Sequence, residues 1–259
     1  MEYRNVIYSV EKNVAKITLN RPDVLNSFNF LMAEELQNIL DEVNQNEEIR
    51  VVIITGAGKA FSAGQDLSEA ISQNTELSEI VERNYIPIVK KIRNLDKPII
   101  AAVNGVAAGA GANIALCCDF VIASKEAYFI QAFSKIGLVP DSGGTYILPR
   151  LIGLARATSL MMLGSKLSST DAENLGIIFK SIEEEDFETF VREFSLKLSE
   201  MPTKALALTK RLLNTSFENS FDEQLQAEKE AQSEAGKSED YNEGVRAFLE
   251  KRKPIFKGK

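Results

Sequence analysis

No histidine occurs among the 259 residues, which excludes Ser-His-Asp and Cys-His catalysis and the commonest zinc ligand sets. Acid/base work therefore falls to carboxylates, lysine, tyrosine or cysteine. The stretch with the strongest chemical composition is Lys97 to Asp119, KPIIAAVNGVAAGAGANIALCCD. Ile99 to Val103 is a short apolar run with Asn104-Gly105 behind it, which predicts a buried strand. From Ala107 to Ala112 no side chain exceeds a methyl group, and a helical pattern follows through Ile114, Ala115 and Cys118. A strand that feeds such a turn into a helix N-terminus lets backbone N–H groups approach a ligand where the dipole favours negative charge, as an oxyanion or phosphate requires. Close packing of a helix on a sheet calls for the same small residues, so the segment alone leaves both readings open. Asp141, in Pro140-Asp141-Ser142-Gly143-Gly144, reads on composition as a turn residue.

Three familiar motifs fail on inspection. Gly56-Ala57-Gly58-Lys59 has Ile53 five residues before Gly58 and Ala60 after the lysine, so the glycine and metal-binding hydroxyl of a P-loop are both missing. Gly109-Ala110-Gly111 has Ile114 where a dinucleotide fingerprint needs a third small residue, and no acidic residue closes the next strand. Ser142 is not on a nucleophile elbow, because Pro140 replaces the first glycine and no histidine can activate it.

The elements that must hold these segments alternate. Val6 to Val10 and Val14 to Leu19 predict a hairpin, and Arg21-Pro22-Asp23 a turn. Phe28, Met32, Leu36, Ile39, Leu40 and Val43 then mark one helical face. Val51 to Thr55 predicts a strand opening into a glycine-patterned loop, Gly56 to Leu67. A helix over Ile80 to Leu95 limited by Pro87, strands at Phe120 to Ala123 and Tyr128 to Ala132, and helices over Tyr146 to Ile152 and Arg156 to Leu163 follow. Ser168 to Asp171 has N-cap composition, and Glu183 to Asp186 suits a solvated helix start. From Pro202 the pattern is helical, which predicts a helical appendage on an α/β body.

Hydrophobic content of 44% suffices for a full core, and a net charge of -7 argues against nucleic acid or an anionic membrane surface as partner. Adjacent Cys117 and Cys118 suit reduced, buried thiols. No apolar run reaches membrane-spanning length, and the first thirteen residues lack the basic start and apolar centre of a secretory signal, so a cytoplasmic protein is expected.

Taken together, Asn20-Arg21-Pro22, Phe61 to Leu67, Lys97 to Asp119, Gly137 to Arg150 and Gly244 to Pro254 resemble the enoyl-CoA hydratase/isomerase (crotonase) superfamily along essentially the whole chain. The resemblance implies an α/β fold of repeated ββα turns, with an acyl-CoA-binding and catalytic core over 1–200 and a helical trimerisation region over 201–259. It implies a coenzyme A thioester as substrate, a homotrimer or dimer of trimers, no metal, and no cofactor beyond the coenzyme A that is part of the substrate. By family position, the backbone N–H groups of Gln65 and Ala110 form an oxyanion hole. Ala63, Gly64, Gln65, Asp66, Leu67 and Gly109, the loop after Arg21-Pro22 and tail cations such as Lys257 are the expected coenzyme A contacts.

The resemblance also sorts the reactions. Hydratases of this superfamily use two glutamates, and those positions are Asn113 and Phe133 here, neither of which shuttles protons. Asp141 matches the catalytic carboxylate of isomerase branches, and the stretch Phe133 to Thr145 is most similar to the phenylacetyl-CoA ring-epoxide isomerases. Phe133, Leu138 and Val139 are expected to desolvate Asp141 and raise its pKa above the usual value of about 3.9. The expected activity is isomerisation of an acyl-CoA thioester by double-bond shift or conversion of a ring epoxide to an oxepin. A weak or broad hydratase and a non-catalytic acyl-CoA-binding subunit are the alternatives.

Overall fold

In the computed structural model, which describes residues 3–72 and 74–259, β1 (Val6–Glu11) and β2 (Val14–Leu19) pair antiparallel around Lys12 and Asn13. Both turn residues have positive φ, 49° and 65°, the combination that matches the twist of a two-residue hairpin. The following strands are β3 (Val51–Gly56), β4 (Ala60–Ser62), β5 (Ile99–Val103), β6 (Val106–Ala108), β7 (Phe120–Ser124), β8 (Tyr128–Ile130), β9 (Lys166–Ser168) and β10 (Lys180–Ile182). They form two sheets, one ordered β1-β2-β3-β5-β7-β10 and the other β4-β6-β8-β9. Consecutive strands divide between the sheets, β3 to the first and β4 to the second, then β5 and β6, then β7 and β8. Each repeat leads into helix, so the chain winds as a ββα spiral in which like strands stack parallel.

The helices are α1 (Phe30–Gln45), α2 (Leu67–Ser72), α3 (Leu77–Ile80), α4 (Ile86–Asn94), α5 (Ala110–Leu116), α6 (Gly144–Ile152), α7 (Leu154–Leu163), α8 (Ser169–Asn174), α9 (Glu184–Ser199), α10 (Thr203–Thr215), α11 (Phe221–Ala235) and α12 (Glu239–Leu249). Asn29 caps α1 by accepting from Met32 N–H, and Met32, Leu36, Ile39, Leu40 and Val43 bury the predicted face. Phe28 is the exception: it lies before the helix, buried beside the loop of Gln65 rather than on the helical stripe. The helix predicted over Ile80 to Leu95 is α3, a π-wound turn over Val81–Tyr85, and α4 in one run of helical backbone, with Pro87, which has no N–H to donate, directly after the widened turn.

Continuous apolar runs in β3 and β5 follow from burial on both faces. Val52, Ile54, Ile99, Ala101 and Val103 face the core shared with α1, α4 and α5. Val51, Ile53, Ile100 and Ala102 face Phe187, Val191 and Leu198 of α9. Ser168 accepts from Asp171 N–H, and Glu184, Glu185 and Asp186 occupy the first turn of α9, as the sequence predicts. Three-residue strands β4, β6, β9 and β10 are too short to give a periodic signal and were not expected.

The C-terminal helices dock on this body. Lys210 of α10 is buried, with its ammonium on Asp119 at 2.9 Å and the Ile92 carbonyl at 2.8 Å. The tail returns to the start of β3, where Arg50 donates to the Phe256 carbonyl at 2.8 Å and Asp240 accepts from the N–H groups of Lys257 and Gly258. Among the described residues, no helix is long and apolar enough to cross a membrane.

Candidate active site

The loop after β3 is shaped by buried polar side chains. Asn26, fully buried, donates to the carbonyls of Ala57 and Ala60 and accepts from Arg21 N–H. Ser62 donates to the Asn26 carbonyl and accepts from Gly64 N–H. These bonds satisfy main-chain groups that a buried loop would otherwise orphan. The loop is thereby pressed against the β6–α5 junction. Gly64 has φ 94°, and a Cβ there would lie 2.9 Å from the Ala108 carbonyl oxygen and 3.3 Å from the Ala110 nitrogen, so only glycine permits the approach.

The approach brings Gln65 and Ala110 together. Gly64 carbonyl accepts from Phe28 N–H at 2.7 Å and Asp66 N–H donates to the Phe28 carbonyl at 2.9 Å. Such a bridge engages the two neighbours of Gln65 and turns its own N–H to the other side. Ala110 is the first residue of α5, after Gly109 at φ 52° and ψ -127°, a conformation open to glycine. Among the described residues, neither the Gln65 nor the Ala110 N–H has a hydrogen-bond acceptor. Gln65 is half-buried and Ala110 buried at the first position of its helix, where no intrahelical acceptor exists, so both donors are open to an external acceptor.

Asp141 enters through α5. The side chain of Asn113, fully buried one turn beyond Ala110, donates to the Asp141 carbonyl at 2.8 Å and accepts from Gln131 Nε2 at 2.8 Å. The Cys117 thiol donates to the Ser142 carbonyl at 3.5 Å. Ser142 at φ 53° and Gly143 at φ 77° then turn the chain into α6. The Asp141 carboxylate accepts from the Ser142 hydroxyl at 2.8 Å. Burial raises its pKa, against the Ser142 hydrogen bond and its own backbone N–H, which lower it.

Phe133, buried, sits with its ring against Gly109, within 3.8 Å of where a Cβ would be. Val139 does not share the expected desolvating role: its side chain is 80% exposed because the turn before Asp141 points it outward. Burial pushes the Cys117 thiol up to about 12 and Cys118 higher than its ordinary value, so neither is a thiolate nucleophile near neutral pH.

Among the expected coenzyme A contacts, Ala63, Gly64, Gln65, Asp66, Leu67 and Gly109 lie in this loop cluster. The Asp66 carboxylate is already engaged, with Arg21 at 2.9 Å and the N–H groups of Ser68 and Glu69 at the start of α2. Lys257 lies apart from this cluster within the chain. It borders a cleft with Glu47, Arg50, Asp96 and Thr203 at the opposite end of β3, because the tail folds back onto the strand's N-terminal side. Within one chain it does not reach the Gln65 loop.

One residue of the cluster escaped sequence reading. Tyr85, buried on the π-wound turn, donates its hydroxyl to Gln65 Oε1 at 2.5 Å. Burial, and then the charges of Asp141, Asp66 and Glu69, hold its pKa well above the usual tyrosine range. Helical spacing gave it the signature of an ordinary core aromatic.

Two main-chain donors without acceptors are thus tied, through Asn113 of α5, to the loop that carries a half-buried carboxylate. The family model for enoyl-CoA hydratase/isomerase matches residues 9–259. A 1,2-epoxyphenylacetyl-CoA isomerase of Escherichia coli (strain K12) is 46% identical over 258 residues, 98% of each chain. A short-chain-enoyl-CoA hydratase of Clostridium acetobutylicum is 35% identical, over 98% of this chain and 97% of that one. The crystal structure of an enoyl-CoA hydratase from Bacillus anthracis superposes with a TM-score of 0.92 at 34% identity, covering 99% of this chain and all of that one. The chain belongs to the enoyl-CoA hydratase/isomerase family, and its architecture is the crotonase fold.

Proposed function

We propose that the chain is an acyl-CoA isomerase in which the Gln65 and Ala110 N–H groups hold the thioester oxygen and Asp141 moves the proton. The observation that carries this reading is the pairing of two acceptor-free N–H groups with one half-buried carboxylate of raised pKa. For a 3-enoyl substrate, Asp141 takes a proton from C2, the electron pair delocalises onto the held oxygen as a dienolate, and the proton returns at C4. The double bond is then conjugated with the thioester and no water is consumed. With an aromatic-ring epoxide, the same grip accompanies ring expansion to an oxepin. The 46% identity to the Escherichia coli isomerase favours that second substrate class.

Asn113 is committed to holding the Asp141 loop and Phe133 to packing on Gly109, which weighs against the two-glutamate hydration route. The names of the hydratase relatives keep hydration as the competing reading. Asp141→Asn tests the proposal: it should bind acyl-CoA and lose isomerase turnover, and full turnover would reduce Asp141 to a turn residue. Assaying crotonyl-CoA hydration against 3-enoyl-CoA isomerisation separates the two activities. The proposal includes a homo-oligomer, a trimer or dimer of trimers, in the cytoplasm; exposed Leu213, Phe217, Phe221, Phe248 and Leu249 on and beside the C-terminal helices support self-association.

A further inference from the structure

The proposed reaction leaves Tyr85 without a task, although it is fully buried and hydrogen-bonded into the same loop. We propose that Tyr85 is a positioning residue: its hydroxyl grips the Gln65 side chain and so sets the direction in which Gln65 N–H meets the thioester oxygen. The inference rests on the two-amide reading above.

Three contacts make the grip. The backbone on either side of Gln65 is pinned to Phe28 at 2.7 and 2.9 Å. The Phe28 ring packs edge-on against the Tyr85 ring, with centroids 6.1 Å apart and planes at 74°. The Tyr85 hydroxyl closes the triangle on Gln65 Oε1, while Gln65 Nε2 donates to the Asp66 carbonyl at 3.2 Å. Residue 65 is thus held by main chain, ring and side chain together, and its N–H has little freedom to turn.

The π winding of Val81–Tyr85 supplies the reach. Glu82 and Arg83 are exposed while consecutive Asn84 and Tyr85 are both buried. A widened turn of this kind re-aims side chains and is frequent at functional sites. Tyr85 does not act as acid or base here. Its one proton is given to Gln65, and burial with three nearby carboxylates keeps that proton in place.

The test compares Tyr85→Phe, which keeps the ring contact and removes the hydroxyl, with Gln65→Leu, which keeps the N–H and removes the acceptor. Infrared difference spectra of bound octanoyl-CoA, labelled at the thioester carbonyl, read the oxygen's hydrogen bonding directly. The wild-type carbonyl should shift to lower frequency on binding, and each variant should shift less. With a 3-enoyl-CoA, kcat should fall about tenfold in each while KM stays within about twofold, short of the hundredfold or more that follows outright loss of a donor. The double variant should be no worse than either single one. Wild-type-sized carbonyl shifts in both variants, or additive losses in the double variant, would overturn the role of Tyr85 alone. No shift in the wild type would overturn the two-amide reading and this inference with it.

Discussion

The side-chain amide of Asn113 donates to the backbone carbonyl of Asp141 at 2.8 Å, so the helix that begins with Ala110 also holds the loop bearing the carboxylate. Gln131 holds Asn113 in turn, which makes the amide orientation self-consistent: its oxygen faces a donor and its nitrogen an acceptor.

Asn113→Ala therefore leaves the buried Gln131 amide without its acceptor and the Asp141 carbonyl with the Gly144 N–H as its remaining donor. The expected cost is about 1–3 kcal/mol in urea unfolding, with kcat falling more than affinity for acyl-CoA. Asn113→Asp should be no milder, because an ionised carboxylate has no proton to give the Asp141 carbonyl. Unchanged stability in both variants would show that the bond contributes nothing.

Burial raises the pKa of Asp141 in the folded chain. A carboxylate needed as base must be ionised, so the acid limb of kcat/KM should lie above the usual aspartate range of about 3.9. The sign for stability is opposite. Between the unfolded and the raised folded pKa the native state binds more protons, so Asp141 makes stability fall as pH rises through that window. Asp141→Asn should thus raise the thermal midpoint at neutral pH and leave it nearly unchanged well below the ordinary aspartate pKa, as a pH series of melting curves would show.

Gly64→Ala combines φ 94° with a Cβ placed 2.9 Å from the Ala108 carbonyl oxygen. It should cost about 2 kcal/mol or more of stability and prise the two loops apart. Turnover should drop by about a hundredfold or more even in the folded fraction. Gly109→Ala is a milder comparison, since its Cβ would meet nothing nearer than the Phe133 ring at 3.8 Å, although its φ of 52° is still unfavourable.

Lys210→Met removes the ammonium that bonds Asp119 and the Ile92 carbonyl. An unpaired, mostly buried Asp119 should cost about 3 kcal/mol in chemical denaturation. Asp119 also accepts from Ile99 N–H at the start of β5, remote from the loops beyond its far end, so kcat per folded molecule should be unchanged. A fall in kcat without loss of stability would contradict this division of labour.

Long apolar runs and capping residues made most of the fold legible. Val51 to Thr55 and Ile99 to Val103 read as buried strands because both faces are covered, and Ser168 marks a helix start through its side-chain acceptor. What escaped has a common physical cause: it depends on contacts distant in sequence. Strands of three residues such as Ala60–Ser62 exist only through pairing with a neighbour, and Phe28 leaves its helical stripe to bridge Gln65. The small-residue segments pointed to close backbone approach, and the family resemblance pointed to Asp141. Neither revealed that Asn113 ties the two together or that Tyr85 reaches Gln65, because a buried amide and a core tyrosine carry no distinctive local pattern.

Both proposed donors belong to the peptide backbone, held in place by the near-contact of Gly64 with Ala110. Swapping the side chain at position 65 or 110 can tilt such a donor but cannot delete it. On the proposed reading, carbonyl activation is insulated from most substitutions of these two side chains, while the choice of what happens to the activated carbon skeleton rests on a few replaceable groups around residue 141. If the two amides do hold the thioester oxygen, redesign aimed at a new transformation has a scaffold here whose electrophile-activating half survives the editing.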